Sequence, residues 1–358
     1  MALLASLKAS RDSGVIEKNA LFCVHVEHGI RPPPESRGDA EFVREFCEDS
    51  GIDCRVKHVP PGKIEAFAGK KKTGIEAAAR YFRHKILRKE AARLIPREDA
   101  LSDQKNAVIL LAHTKDDLLE TILMRILRGA GPAGLSAMSG KTGRIERLTK
   151  GNEQSANERD RGEAIARPLL GMTRKDVVDY LTLRDISWRE DSTNSDEKFS
   201  RNRIRRRLVP LLNDFFPEWK TGVASAAETQ SLVNDFLADQ TRVLIKWEKS
   251  FLPQTETSQN AENQKRSAPF LLLTEEERFF SQPEIIREEA VFQGMDILLS
   301  GRKYPVKSVK RSVVRRFCSG AIKAADLGQI RICRENGKIL LSRKRKENFE
   351  SGVSWLIK

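Results

Sequence analysis

The chain has 358 residues, more than one hydrophobic core ordinarily organises, so two or three domains are expected. Lys and Arg number 64 against 50 Asp and Glu, and the net charge of +14 favours a polyanionic partner, nucleic acid first, although a basic surface by itself does not name it. A hydrophobic share of 39% beside 32% charged residues is ordinary for a globular chain, and no apolar run approaches the roughly 20 residues that cross a bilayer, which excludes a membrane-spanning helix.

The apolar opening, residues 1–7, lacks a basic region before it and is followed by Lys8 and Arg11, so it makes a poor signal peptide and a cytoplasmic location is expected. Residues 1–10 read as the end of a helix. Residues 21–26 form a short buried strand running into Glu27-His28-Gly29. The proline run 32–34 predicts an extended loop, and 36–50 a helix closed by Gly51. Residues 52–59 alternate as a strand, 74–95 make a long helix, 107–112 a nearly all-apolar strand and 115–128 a further helix. This alternation predicts an α/β fold with a Rossmann-like parallel sheet over residues 1–140. Nucleotide-binding sheets of that kind open with strand, phosphate loop and helix, so the first strand and its loop are expected to be missing here.

Residues 141–165 are polar and without periodicity, and predict an insertion. Residues 166–215 are expected to complete the first domain and to end in an arginine-rich segment. Within them, Thr173 and Asp176 have capping-box spacing at the start of a helix carrying Val177, Val178 and Leu181, and Trp188 is expected on a short strand. A helical domain over 216–252, a Gln-, Asn- and Ser-rich linker over 253–268 and a small, basic α+β domain over 269–358 follow. The five cysteines (Cys23, Cys47, Cys54, Cys318, Cys333) include no C-x-x-C pair and read as reduced packing residues; no disulfide framework, zinc cluster or iron–sulfur cluster is expected.

The segment 112–129 carries the most chemistry. At 100° per residue, Leu118, Leu119, Ile122 and Ile126 form one packed stripe, while His113, Asp117, Glu120 and Met124 project from the opposite side. Two carboxylates and a histidine would then share a face beyond a strand's carboxyl end, where open α/β sheets bind ligands, and a cationic or amino-bearing guest would suit them. The alternative is that Asp116 and Asp117 only complement the helix N-terminus, with Glu120 solvated. Gly129, Gly131 and Gly134 follow a helix rather than a strand, so Gly129 reads as a C-cap and a dinucleotide loop is discounted. Glu76, Arg80 and Arg83 lie on neighbouring helical turns, where an ion pair between Glu76 and Arg80 is the simple account. His25 and His28 flank the first strand's end without metal-ligand spacing. Residues 201–207 hold five arginines, a density that favours phosphate contacts over a merely solvated face, and residues 302–316 carry seven Lys or Arg and no acid, with Arg343 to Lys346 beyond.

Several segments stand in a telling order: His25-Val-Glu-His-Gly29, residues 74–80, Ala112-His-Thr-Lys-Asp-Asp117 with Glu120 and Thr121, residues 128–135, Arg167-Pro-Leu-Leu170, Asp191-Ser-Thr-Asn194 and Arg201-Asn-Arg-Ile-Arg205. Together they resemble the tRNA(Ile)-lysidine synthases of the PP-loop ATP pyrophosphatase superfamily. The resemblance implies an adenine nucleotide alpha hydrolase type of fold. It also implies a ligase that uses ATP with Mg²⁺ to adenylate the wobble cytidine of the CAU-anticodon isoleucine tRNA, after which L-lysine displaces AMP. By it, His113, Asp117 and Glu120 would be catalytic, and Arg80 with the two carboxylates would bind lysine. Val24, His25, Val26, His28 and Gly29 would meet ATP, and Arg128, Arg201, Asn202, Arg205, Arg206 and Arg207 the tRNA. No resident metal or organic cofactor is implied, and a homodimer is compatible with it. The family's Ser-Gly-Gly-x-Asp-Ser loop would precede Met1. The expectation is therefore either a natural start upstream of Met1 or a catalytically inactive tRNA-binding remnant. A PP-loop tRNA thiolase is the rival enzyme, disfavoured by the lack of paired cysteines.

Overall fold

The computed structural model describes residues 1–31, 33–94, 107–136, 146–147, 164–190, 200–251, 270–299 and 309–344. The chain divides into two compact units, residues 1–149 with 157–231, and 150–156 with 232–358. In the first, helix α1 (Ala2–Asp12) buries Ala2 and Ala5. Strand β1 (Phe22–Glu27), helix α2 (Pro33–Asp49) and strand β2 (Asp53–His58) follow, and the two strands pair in parallel from Phe22 opposite Asp53 to Glu27 opposite His58. The proline run departs from the expected loop. Pro33 and Pro34 open α2, because the first helical N–H groups have no intrahelical acceptor and a proline loses nothing there; Pro32 lies outside the described residues.

Helices α3 (Lys63–Lys71) and α4 (Ile75–Leu94) come next. α3 lies in a stretch for which periodicity predicts no element. It packs Ile64 and Ala68 against Ala78 and Phe82 of α4, with Phe67 stacked on Tyr81 at 4.7 Å. Strand β3 (Val108–Leu110), helices α5 (Lys115–Ile126) and α6 (Pro132–Ser136), and strands β4 (Glu146–Arg147) and β5 (Ala164–Ala166) complete the sheet elements. β3 pairs with β5 in parallel, and β4 lies antiparallel on β5. The parallel sheet thus forms in two pieces, β1-β2 and β3-β5-β4, and α4 packs against strands of both. The expected insertion is narrower than its polarity suggests: β4 and most of β5 fall inside it, and Ile165, 2% exposed, joins Ala91 and Ile109 in a small core. Residues 148–163 lie outside the described part.

A single 3₁₀ turn (Pro168–Gly171) leads to α7 (Arg174–Leu183), which opens on the expected capping box between Thr173 and Asp176. Trp188 is not on a strand. Asp185, at φ 51°, turns the chain out of α7, and residues 187–190 are irregular. Helix α8 (Ser200–Arg203) runs through a π turn (Ile204–Leu208) into α9 (Val209–Phe215), and α10 (Trp219–Leu244) reaches from the first unit into the second.

The second unit has β6 (Glu248–Phe251), β7 (Phe270–Glu275), α11 (Glu276–Phe280), α12 (Glu284–Leu299), α13 (Arg311–Cys318), β8 (Ala324–Leu327), β9 (Ile330–Glu335) and β10 (Lys338–Arg343). Its antiparallel sheet, in the order β6-β7-β10-β9-β8, packs Leu272, Ile332 and Leu341 against Phe279, Val291, Leu298 and Phe317, the expected α+β arrangement. The β9–β10 hairpin turns at Asn336 and Gly337, with φ 49° and 72°, the pair of positive angles that a two-residue hairpin of matching twist requires. Two arginines of the basic run serve the interior: Arg311 and Arg315 donate to buried Glu288 at 2.6 and 3.0 Å. The linker 253–268, residues 302–308, and Arg345 with Lys346 lie outside the described part.

Candidate functional site

β1 ends at Glu27, and the chain leaves it through Gly29 at φ 66°. A Cβ there would stand 2.7 Å from the carbonyl oxygen of Val59, so the turn accepts only glycine. Beyond this strand end lies a cavity of about 300 Å³, lined among others by His25, Val26, His28 and Gly29 of the strand end, by Glu76 of α4, and by Arg201 and Asn202 of α8. Val24 is one residue deeper in the strand and does not line it. At the rim, Glu27 accepts from Ser36 Oγ at 2.5 Å and pairs with His58. Those hydrogen bonds, Ser36 first, hold its carboxyl below the usual range. Burial lowers His25, which keeps the imidazole neutral beside the cavity.

α5 supplies the second half of the site. Thr114 is its N-cap, and Asp117 closes a capping box, its Oδ2 accepting from Thr114 N at 2.9 Å and Thr114 Oγ1 at 3.1 Å. The threonine therefore orients one edge of the carboxylate. The other edge, Oδ1, accepts from Arg201 Nη2 at 2.9 Å. One turn on, Glu120 is 3% exposed and takes two arginines. Arg201 Nε donates to its Oε2 at 2.7 Å, and Arg205 donates from Nε to Oε1 at 2.6 Å and from Nη2 to Oε2 at 2.9 Å. Such forked, charge-assisted bonds are geometrically specific. Glu76 stands 4.0 Å from Arg201 Nη1.

Asp116, the third acid of the segment, is used structurally, accepting from the backbone N–H of Arg174 at the start of α7 at 2.6 Å. The packed stripe of α5 also differs from the expected one. Leu119 and Ile122 are buried, but Ile126 is 48% exposed, while Leu123 and Met124 pack with Ile204 and Trp219. The reason is tertiary: the segment from α8 to α10 covers the face that a lone helix would leave to solvent, so α5 is packed on both sides.

On the histidine side of α5 the charges are positive. His113 falls to about 4, chiefly by burial and then, against the pull of Asp117, by Arg80, Arg167 and Arg83. Its Nδ1 is buried with no hydrogen-bond partner among the described residues. His84 likewise falls to about 4, by burial and then by Arg80, Arg83 and further arginines. Both imidazoles are neutral near pH 7, one-sided donors or acceptors beside guanidinium groups. Within the arginine-rich segment, the helical phase separates two sets. Arg201 and Arg205 turn inward with buried Asn202 between them, whereas Arg203, Arg206 and Arg207 are exposed, as is Arg128 after α5. The motif Asp191 to Asn194 lies outside the described residues. No helix among the described residues is long and apolar enough to cross a membrane.

The PP-loop domain family matches residues 1–212. Among curated relatives, the tRNA(Ile)-lysidine synthase of Treponema denticola is 34% identical over 218 residues, 61% of this chain and 40% of that protein. The synthase of Treponema pallidum is 33% identical over 223 residues, 62% of this chain and 39% of its own length. That of Thermus thermophilus is 32% identical over 208 residues, 58% and 34%. The matched part of the chain thus spans about 40% of the length of the first of these relatives. A solved structure, the U34-tRNA thiolase NcsA from Methanococcus maripaludis with its 4Fe–4S cluster, superposes with a TM-score of 0.44 at 16% identity, covering 64% of this chain and 67% of that one.

Proposed function

This chain belongs to the PP-loop domain family, and from that premise we propose that it carries the catalytic region of a tRNA(Ile)-lysidine synthase. The reaction is the ATP-dependent ligation of L-lysine to the wobble cytidine of the CAU-anticodon isoleucine tRNA, releasing AMP and pyrophosphate. The observation that carries this reading is the pair Asp117 and Glu120 on one helical face, held by Arg205 and by Arg201, which also lines the strand-end cavity. An amino-acid substrate with two ammonium groups needs such carboxylates, and a polyanionic RNA needs such guanidinium groups.

ATP, as its Mg²⁺ salt, is a substrate in this reading. The adenine meets His25, Val26, His28 and Gly29, with Val24 shaping the strand behind them; the cavity has room for a base and part of a ribose. Neutral His113, with Arg80 near it, faces the charge that develops as cytidine O2 attacks the α-phosphate. Lysine's ammonium groups are held by Asp117 and Glu120, with Arg80 at its carboxylate, and the attacking amine must be delivered neutral to carbon 2 of the activated base. Arg201 and Arg205 satisfy the carboxylates in the free protein. RNA phosphates and the lysine ammonium together let the pairs exchange partners, so that no buried charge is left alone. Arg128, Arg206 and Arg207, with Asn202, complete the RNA-binding set. The polar chemistry and the RNA substrate accord with action in the cytoplasm.

The test uses protein isolated from its own cells, with ATP, lysine and a CAU-anticodon tRNA transcript. Lysine-dependent AMP release and incorporation of labelled lysine into the tRNA are expected. Asp117→Asn should lower the rate by at least about 100-fold while leaving tRNA affinity within a factor of a few. Tight tRNA binding with no AMP release from the unaltered protein would replace the ligase by a noncatalytic tRNA-binding protein.

A further inference from the structure

Outside the site just described, the fold assembles three cysteines that sequence spacing leaves apart. Cys23 is on β1, Cys47 in the last turn of α2 and Cys54 on β2, and their three Sγ atoms lie within 4.8 Å of one another. The convergence is built by backbone register rather than by loop placement. Cys23 and Cys54 are direct partners in the parallel ladder, so both point to the same side of the sheet, and α2 lies over that side. The turn from α2 to β2 is held by the hydrogen bond from Ile52 N to the carbonyl of Cys47 at 2.8 Å. Arg11 pins the same turn by donating to the carbonyls of Ser50 at 2.6 Å and Gly51 at 2.8 Å.

Three thiols in mutual contact are an unusual way to fill space. An S–H group is a weak donor and sulfur a weak acceptor, so the trio gains little from its own hydrogen bonds, while its lone pairs converge on one point. Zinc–thiolate bonds of about 2.3 Å in tetrahedral geometry place sulfurs about 3.8 Å apart, a separation the trio reaches with small side-chain adjustment. Cys47 is fully buried, whereas Cys23 and Cys54 are only half-buried, which leaves a side of the trio open for entry and for a fourth ligand such as water.

We propose that Cys23, Cys47 and Cys54 form a three-thiolate site for a thiophilic d10 cation of the zinc class. Thiolate ligands select such ions over Mg²⁺ or Ca²⁺. Binding at pH 7 releases protons from the thiols and ties β1, α2 and β2 together at one point. The inference stands independently of the lysidine synthase reading, since it uses none of the same side chains.

The test takes the full chain, reduced and stripped of metal, and titrates it with Cd²⁺ as the probe, followed by the ultraviolet sulfur-to-metal charge-transfer band. One ion per chain is expected, displaced competitively by Zn²⁺. Cys54→Ser and Cys47→Ser should each weaken binding by about 100-fold or more, since loss of a mere outer-shell partner already costs 10- to 100-fold. Cys318→Ser and Cys333→Ser should leave it unchanged. Absence of the band in the unaltered chain, or unchanged affinity in folded Cys54→Ser, overturns the proposal. If Cys47→Ser fails to fold by circular dichroism, alkylation of the unaltered chain gives a second reading. Zn²⁺ should slow iodoacetamide labelling of Cys23 and Cys54 but not of Cys333, and equal rates with and without Zn²⁺ overturn the site.

Discussion

Glu120 is the residue on which the site turns. Its carboxylate is nearly inaccessible and carries hydrogen bonds from Arg201 and Arg205. Glu120→Gln keeps the shape and removes the charge, leaving Asp117 alone to balance two guanidinium groups in a partly desolvated place, at 2.9 Å from Arg201 and 3.7 Å from Arg205. The expected loss is about 3 kcal/mol of unfolding free energy, measured by urea denaturation. Asp117→Asn should cost less, because one edge of that carboxylate serves a cap that an amide oxygen also fills. Equal losses would show that the two-arginine pairing adds nothing to stability. The histidines give a pH signature. His84 and His113 are lowered to about 4 in the fold, against about 6.5 in the unfolded chain. Between those values the unfolded state binds more protons, so stability should rise as pH rises from about 4 to 6.5 and level off above. The paired substitutions His84→Gln and His113→Gln should flatten a thermal melting profile over that window, and an unaltered slope would refute the assignment. At Gly29, alanine would bring Cβ against a backbone oxygen in a left-handed turn; Gly29→Ala is expected to lower the melting temperature and to weaken ATP binding by calorimetry.

At the scale of the element, α5 shows where pattern reading succeeds and where it stops. Its start and its length are legible, because 3.6-residue geometry is local, and Asp117 and Glu120 stand one turn apart on it, whereas His113 precedes the Thr114 N-cap and lies outside the helix. The capping box between Thr114 and Asp117 has the same spacing as the one read at Thr173 and Asp176, yet its carboxylate reads equally well as a substrate ligand. Asp117 does have both edges engaged, one by the cap and one by Arg201. Thr114→Ala should therefore cost about 1 kcal/mol in stability and also reduce ligation, whereas Thr173→Ala should cost a similar amount with ligation unchanged. Comparison of urea midpoints with lysine-dependent AMP release separates the two effects. Proline reading fails at α2 for a plain reason: proline forbids a helix interior but suits a first turn, and composition does not say which position it occupies. The exposure of Ile126 and the packing of half-buried Met124 follow from a partner segment that begins about 80 residues further on, which no periodicity within α5 encodes.

For the whole molecule, the net charge of +14 favours a polyanionic partner but does not distribute the charge. The fold does. Arg201, Arg205, Arg311 and Arg315 each serve a buried carboxylate, and Arg206, Arg207 and Arg128 face outward. Arg206→Ala with Arg207→Ala should weaken tRNA binding and reduce its salt slope by up to about one unit per lost phosphate contact, measured by filter binding at several salt concentrations; an unchanged slope would remove both from the RNA surface. Local pattern sufficed for β1, β2, α4, β3, α5 and α7 in their order, for the α+β character of the second unit, for the capping box of α7 and for the motifs that mark the family, because these depend on neighbours a few positions apart; α3, β4 and β5 escaped it. Tertiary packing alone brings Asp117 and Glu120 onto Arg201 and Arg205 across 81 to 85 positions, covers part of Met124, and makes Cys23, Cys47 and Cys54 converge. Those juxtapositions are set by strand register and helix packing, and separation along the chain carries no information about distance once a loop has turned the backbone back on itself.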